Sequence, residues 1–281
     1  MNIPFVKAHG ARNDFLLSWL PDHASAPWLS RLAIAICDRH SGIGADGWYL
    51  MSPAAADQPA HLRIRLFNPD GGEVEMSGNG TRCAAAYALA HGLAAGPDVT
   101  IATGSGPKHV TLLARQGNRF HFRMNMGAPK IIDPRTTLEA LGQSWDATLV
   151  DVGNPQCAVF VEHFDFDWPA VGAALEHHPR FPQRTNVSFV KPSSDDNLSG
   201  HAMSGHAIDV RFFERGAGVT NSSGTGSTGA MVASVLRQLV SPPVQVNTVA
   251  GPLQLSGQET IYLEGPAELT ADGVFFFETE L

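Results

Sequence analysis

Apolar and polar residues alternate along much of this chain in short runs, the period of two that puts every second side chain on one face of a strand. Strands are predicted on that basis at 3–7 and 15–19, around the loop H-G-A-R-N-D, where Gly10, Asn13 and Asp14 supply turn chemistry. Further strands are predicted at 47–51, 62–67, 97–102, 108–114, 119–125, 148–152, 157–162 and 208–213. Helices are predicted at 27–38 and 171–178, over the Ala- and Leu-rich stretch 81–94 with its start near Ser77, and at about 225–240. The glycine-rich segment 41–47 lacks the spacing of a phosphate loop and fits a tight turn. Residues 192–206, polar and containing His201 and His206 without metal-ligand spacing, read as an exposed loop. Short strands follow to the end, broken by Pro242, Pro243, Pro252 and Pro266. The pattern is mixed α+β with many short strands, not a regular βαβ alternation.

Two stretches match each other without a gap. Residues 65–80 (R-L-F-N-P-D-G-G-E-V-E-M-S-G-N-G) align with 211–226 (R-F-F-E-R-G-A-G-V-T-N-S-S-G-T-G) at a constant offset of 146 (223 − 77). Ser77 pairs with Ser223, Gly78 with Gly224 and Gly80 with Gly226. Such a self-match indicates two copies of one strand, loop and helix unit. The 281 residues accommodate two domains of about 140 each. The domains are placed at 1–122 with about 270–281, and at 123–269.

Composition changes the picture only by exclusion. With 43% hydrophobic and 16% charged residues a packed core is expected, and a net charge of −8 argues against nucleic-acid and anionic-membrane partners. Cys37, Cys83 and Cys157 form no C-x-x-C pair and no disulfide framework. No segment reaches the ~20 apolar residues of a membrane span, and the N-terminus lacks a signal-peptide run. A soluble, cytoplasmic protein without a metal is expected.

The paired turns carry the candidate chemistry. Each sets free backbone N–H groups and the positive end of a helix dipole at a helix start, a ready site for a carboxylate. If the two units face one ligand, Ser77 and Ser223 flank it, the geometry in which a planar carbon loses a proton on one face and gains it on the other. Serine before a helix is also an ordinary N-cap, and a duplicated fold would duplicate its caps.

Seven motifs in order, H-G-A-R-N-D-F (9–15), G-I-G-A-D-G (42–47), F-N-P-D-G-G (67–72), S-G-N-G-T-R-C (77–83), G-N-P-Q-C (153–157), R-T-N-V (184–187) and E-R-G-A-G-V-T-N-S-S-G-T-G (214–226), resemble diaminopimelate epimerase. The resemblance implies an enzyme without cofactors, built of two pseudo-symmetric domains, each a mixed sheet or barrel wrapped around a helix. Its implied reaction interconverts L,L- and meso-diaminopimelate on the way to lysine and peptidoglycan, and its implied assembly is a homodimer. In that family two cysteines at helix starts act as base and acid; the matching positions here are Ser77 and Ser223. Asn13, Asn68, Asn154 and Asn186 are implied to hold the substrate, Arg215 to pair with a distal carboxylate and Glu214 to accept from an amino group. The amides of Gly78 and Asn79, and of Gly224 and Thr225, are implied to bind the reacting carboxylate.

Two departures follow. A thiol has a pKa near ~8.5, an aliphatic hydroxyl is a far weaker acid, and each unit of the gap costs about 1.4 kcal/mol; no neighbouring Ser-Lys or Ser-His pair supplies a base. Gln156 stands where the family motif commonly has histidine. An amino-acid-binding relative and a one-base chemistry such as dehydration therefore stand beside the epimerase, as does a deliberate Cys-to-Ser variant. Cys83 and Cys157 are expected to be buried apolar fillers.

Overall fold

The computed structural model describes residues 1–23, 25–57, 59–193 and 206–278; most of the expected 192–206 loop, with His201, lies outside them. The chain divides into two compact units, Met1–Met124 with Gly265–Leu281, and Asn125–Glu264.

The first unit runs β1 (Asn2–Gly10), β2 (Asn13–Trp19), α1 (Leu29–Cys37), β3 (Gly47–Ser52), β4 (Leu62–Phe67), β5 (Glu73–Val74), α2 (Gly78–Ala90), β6 (Asp98–Thr103), β7 (Gly106–Gln116) and β8 (Arg119–Gly127). β1–β2 pair antiparallel, β2–β3 parallel, β3–β4 antiparallel and β4–β6 parallel, with β6–β7 and β7–β8 antiparallel. The chain's last strand, Ile261–Phe276, pairs with both β8 and β1, so eight strands close into a barrel. The two parallel pairs need crossovers, which α1 and α2 supply. In α1, Leu29, Leu32, Ala33 and Ile36 repeat at helical spacing and bury one face in a core with Trp48 and Leu50. By contrast α2 is buried on nearly all sides, from Gly78 to Ala86 and at Ala88. Its run of alanines suits a helix enclosed by a sheet.

The second unit runs β9 (Lys130–Ala140), β10 (Gln143–Asp151), β11 (Pro155–Phe160), α3 (Trp168–Glu176), β12 (Asn186–Pro192), β13 (Ala207–Glu214), β14 (Gly218–Thr220), α4 (Gly224–Leu236), β15 (Val244–Thr248) and β16 (Gly251–Ser256), and enters β17 (Ile261–Phe276). From β10 to β17 the pairs are antiparallel, parallel, antiparallel, parallel, antiparallel, antiparallel, the same series as in the first unit. Helix α4 repeats α2, with Gly224 to Ser234 all buried. The α+β class, with a mixed sheet wrapped around a helix, is what the structure shows.

Four sequence expectations change. The 9–14 turn is made by Ala11 and Arg12, both at positive φ (49° and 59°), while Gly10 and Asn13 pair across the hairpin. β9 was not expected, because its side chains are mostly exposed and only its end, with Leu138 and Ala140 buried, alternates; it pairs antiparallel with β10. α4 stops at Leu236, not near 240, because Arg237 caps it and Gln238 turns left-handed (φ 60°). Pro266 does not end a strand: β17 runs through it for 16 residues.

Candidate active site

In the first unit β4 feeds the turn Asn68–Gly72, where the Asn68 N–H donates to the Gly72 carbonyl at 2.8 Å and the Gly72 N–H donates to Asp70 Oδ1 at 2.8 Å. The chain then reaches Ser77, which is extended (φ −123°, ψ 129°) and caps α2; its Oγ accepts from the Gly80 N–H at 3.3 Å. Gly78 and Asn79 occupy the first turn, where backbone N–H groups lack partners within the helix. Gly80 is required there, since a Cβ would stand 2.2 Å from the Tyr49 hydroxyl. That hydroxyl, fully buried beside Ser77 and Thr81, makes no hydrogen bond of good geometry, and burial pushes its pKa up.

The asparagines of this unit are tied into a network. Asn13 donates to Asp46 Oδ2 at 2.7 Å and accepts from Asn79 Nδ2 at 3.2 Å, while Asn79 Oδ1 accepts from Arg82 Nη2 at 2.6 Å. Arg82 is fully buried on neutral acceptors, the Gly78 and Pro266 carbonyls being the others, and burial lowers its pKa to about 10. A cation under the first turn of α2 adds to the positive potential of the helix start.

The second unit repeats the cap with different surroundings. Ser223 is extended (φ −137°, ψ 125°), caps α4 and accepts from the Gly226 N–H at 3.0 Å. Its hydroxyl donates to Glu214 Oε1 at 2.6 Å, and Thr220 Oγ1 donates to Glu214 Oε2 at 2.5 Å. A carboxylate beside the serine is what the sequence did not reveal, since the two residues are nine positions apart. Asn186 Oδ1 accepts from the Arg215 N–H at 3.1 Å and its Nδ2 donates to the Pro155 carbonyl at 3.0 Å, which ties the G-N-P turn to the arginine turn. Arg215 Nη1 donates to the Gln183 carbonyl at 3.3 Å. Asn154 accepts from Gln156 Nε2 at 2.6 Å and reaches Thr225 Oγ1 at 3.4 Å; Gln156 Oε1 is buried without a partner.

Within each unit the sequence-derived residues therefore gather at a helix start: Asn13, Ser77, Gly78 and Asn79 at α2, with Asn68 in the preceding turn, and Asn154, Ser223, Gly224 and Thr225 at α4, joined to Glu214 by its bond to Ser223 and to Arg215 and Asn186 by the turn. Tyr49, Arg82 and Thr220 were missed, although Arg82 and Thr220 lay inside quoted motifs, 77–83 and 214–226. Two depressions on the second unit, about 520 and 440 Å³, have linings that include neither Ser223 nor Glu214. The three cysteines are free and buried, and burial pushes each thiol up to about 12. Among the described residues no three His, Cys, Asp or Glu side chains are grouped as metal ligands.

The sequence pattern of the family described as diaminopimelate epimerase matches residues 5–132 and 148–270. The chain belongs to the diaminopimelate epimerase family. It is 37% identical over 279 residues to the diaminopimelate epimerase of Moorella thermoacetica, covering 94% of this chain and 95% of that one. The diaminopimelate epimerase of Desulforudis audaxviator is 38% identical over 290 residues, covering 96% and 98%. Among solved structures, a probable proline racemase from Agrobacterium radiobacter K84 superposes with a TM-score of 0.76 at 15% identity, over 99% of this chain and 93% of that one. A hydroxyproline epimerase from Agrobacterium vitis gives 0.74 at 16% identity, over 97% and 92%. A phenazine biosynthesis protein of the PhzF family from Bacillus anthracis gives 0.71 at 13%, over 99% and 100%. At those identities the likeness is one of fold. Among the described residues no helix is long and apolar enough to cross a membrane.

Proposed function

We propose that this chain is a cofactor-independent epimerase that inverts the α-carbon of diaminopimelate, L,L- to meso- and back, in the cytoplasm, as a homodimer serving lysine and peptidoglycan synthesis. The observation that carries the reading is that both family cysteine positions, Ser77 and Ser223, are N-caps of enclosed helices, each with its Oγ bonded by the N–H three residues on. In this reading the amides of Gly78, Asn79, Gly224 and Thr225 take the α-carboxylate. Arg215 pairs with the distal carboxylate, and Asn13, Asn68, Asn154 and Asn186 hold the substrate. Each of Asn13, Asn154 and Asn186 already has both ends of its amide engaged by protein. Contact with substrate uses the second lone pair or second N–H, so these side chains orient the site as well as bind. Removing the α-proton puts charge on the carboxylate oxygens, where the helix-start N–H groups are already aimed and need no reorganisation.

The test is incubation with L,L- and meso-diaminopimelate and a panel of other amino acids in D₂O, followed by NMR at the α-position. Deuterium incorporation with inversion of diaminopimelate is expected. Calorimetric binding with no exchange from any isomer would sink the epimerase and leave an amino-acid-binding relative.

A further inference from the structure

Ser77 has a neighbour that its matched serine lacks. Tyr49 lies on β3, in register with Leu17 of β2 and Leu66 of β4, its ring edge-on to Phe15 at 5.4 Å. It is fully buried, and its hydroxyl reaches the first turn of α2 at Gly80, where a Cβ would stand 2.2 Å from the oxygen. Ser77, through its backbone and its side chain, and Thr81, through its side chain, are the polar groups beside that hydroxyl, yet it makes no bond of good geometry to them. A buried phenol ordinarily finds a partner, and the hydrogen bonds of a ligand-free site tighten when substrate is bound. Thr81 Oγ1, which donates to the Ser77 carbonyl at 2.8 Å, is one acceptor; Ser77 offers both an N–H and an Oγ, and that Oγ is held by a long bond from the Gly80 N–H, 3.3 Å against 3.0 Å for the matching bond at Ser223. In the second unit Ser188 takes the place of Tyr49, since Tyr49 pairs with Leu66, Ser188 pairs with Phe212, and 212 − 66 = 146. The atoms that a Cβ at Gly226 would meet first are ring carbons of Phe212, so no phenol stands at that cap. The charged and titratable groups around Tyr49 are Arg82 and Cys83 of α2, both fully buried, with Asp14 of β2 acting on Cys83.

We propose that Tyr49 is a positioning residue for the proton that Ser77 moves, its phenol donating to Ser77 Oγ while the Gly80 N–H donates to the same oxygen, an assignment that rests on the epimerase reading. With both lone pairs of Oγ taken, the Ser77 O–H is left for the substrate. In the delivering direction the Ser77 O–H bond breaks, its electron pair stays on Oγ, and a Cα–H bond forms from the electron pair of the substrate carbanion. The oxyanion left on Oγ meets two donors already in place, so no reorganisation is needed as the charge develops. The phenol keeps its own proton, because burial disfavours the phenolate. In the reverse direction the same two bonds stabilise the alkoxide that removes the α-proton. A hydroxyl at residue 77 thereby recovers part of the acidity that separates it from a thiol.

Two measurements on Tyr49→Phe, which removes one oxygen and keeps the ring in its packing, test this. The first reads kcat and KM for diaminopimelate together with α-deuterium uptake in D₂O. Loss of a charge-assisted bond made only in the transition state should lower kcat about 10- to 100-fold and leave KM within about twofold. An unchanged kcat, or a loss that falls on KM, overturns the proposal. The second needs no activity. In a Ser77→Cys protein the introduced thiol is titrated by its thiolate absorbance, with and without Tyr49→Phe, and the same titrations of the two proteins that keep Ser77 are subtracted so that native thiols and phenols cancel. A phenol that donates to residue 77 favours the thiolate, so Tyr49→Phe should raise the midpoint by about one unit, a tenfold change in ionisation. A phenol bonded to Thr81 instead, or merely packed, leaves the midpoint unmoved, and that result overturns the proposal whatever the activity. A raised midpoint with no exchange from the wild-type protein overturns the epimerase reading, and the proton transfer with it, while the Tyr49–Ser77 bond stands.

Discussion

At the scale of the residue, what distinguishes this member of the family is two oxygens at positions where the family has sulfur. Both serines are held by their helices as a thiol would be, in extended backbone with the side chain turned onto the first turn. Replacing both, Ser77→Cys with Ser223→Cys, should raise the rate of inversion by orders of magnitude, because a thiolate near a helix start is accessible at neutral pH and an alkoxide is not. The measurement is kcat for L,L- to meso-conversion by circular dichroism or a coupled assay; no gain would mean that the pocket serves another substrate. The asparagines teach a second lesson. Asn13 and Asn79 share a bond inside the chain Asp46–Asn13–Asn79–Arg82, so each amide has one orientation that satisfies its neighbours. A buried polar network of this kind specifies geometry when every member is satisfied.

At the scale of the element, the enclosed helices depend on how their ends are fastened. The end of α4 is held by Arg237, which donates to both oxygens of Asp146 at 2.6 and 3.0 Å, to Thr148 Oγ1 at 2.8 Å and to the Ala147 carbonyl at 2.8 Å, with its guanidinium 4.0 Å from the Phe160 ring centre. All of these partners lie on β10 and β11. Arg237→Ala should cost about 2–4 kcal/mol, since charge-assisted bonds contribute about 1.5–3 each but Asp146 is partly solvated and is screened when released. Equilibrium unfolding in urea reads this as a lower midpoint; Arg237→Lys, which keeps the charge without the fork, should recover only part of it.

At the scale of the whole molecule, the acidic groups set the response to pH. Burial raises Asp14 on its own, but hydrogen bonds from Arg39 and Lys7 outweigh it and leave the pKa lowered; Asp146 is lowered first by its Arg237 bonds; and Asp38 falls to about 2 through bonds from the Ser41 and His40 backbone. A carboxylate lowered by folding adds stability that is fully present above its unfolded value near ~3.9 and is lost as pH falls through the folded value. Asp46 runs the other way, raised by burial and then by the charge of Asp14, so its protonation favours the folded state slightly above that range. The urea midpoint should therefore hold level from pH 7 to about 5 and decline below about 4, and Asp146→Asn should flatten that decline. The sequence by itself determined the repeat, the helix starts at Ser77 and Ser223, most strands and the family, because alternation, alanine content and N-cap chemistry are local and are written in adjacent residues. It could not determine β9, whose mostly exposed side chains alternate only at its end, or the unbroken passage of β17 through Pro266, which depends on pairing with its neighbouring strands. Nor could it show the carboxylate at Ser223 or the phenol beside Ser77. Those neighbours come from different elements, and only the closing of a sheet around a helix brings them side by side.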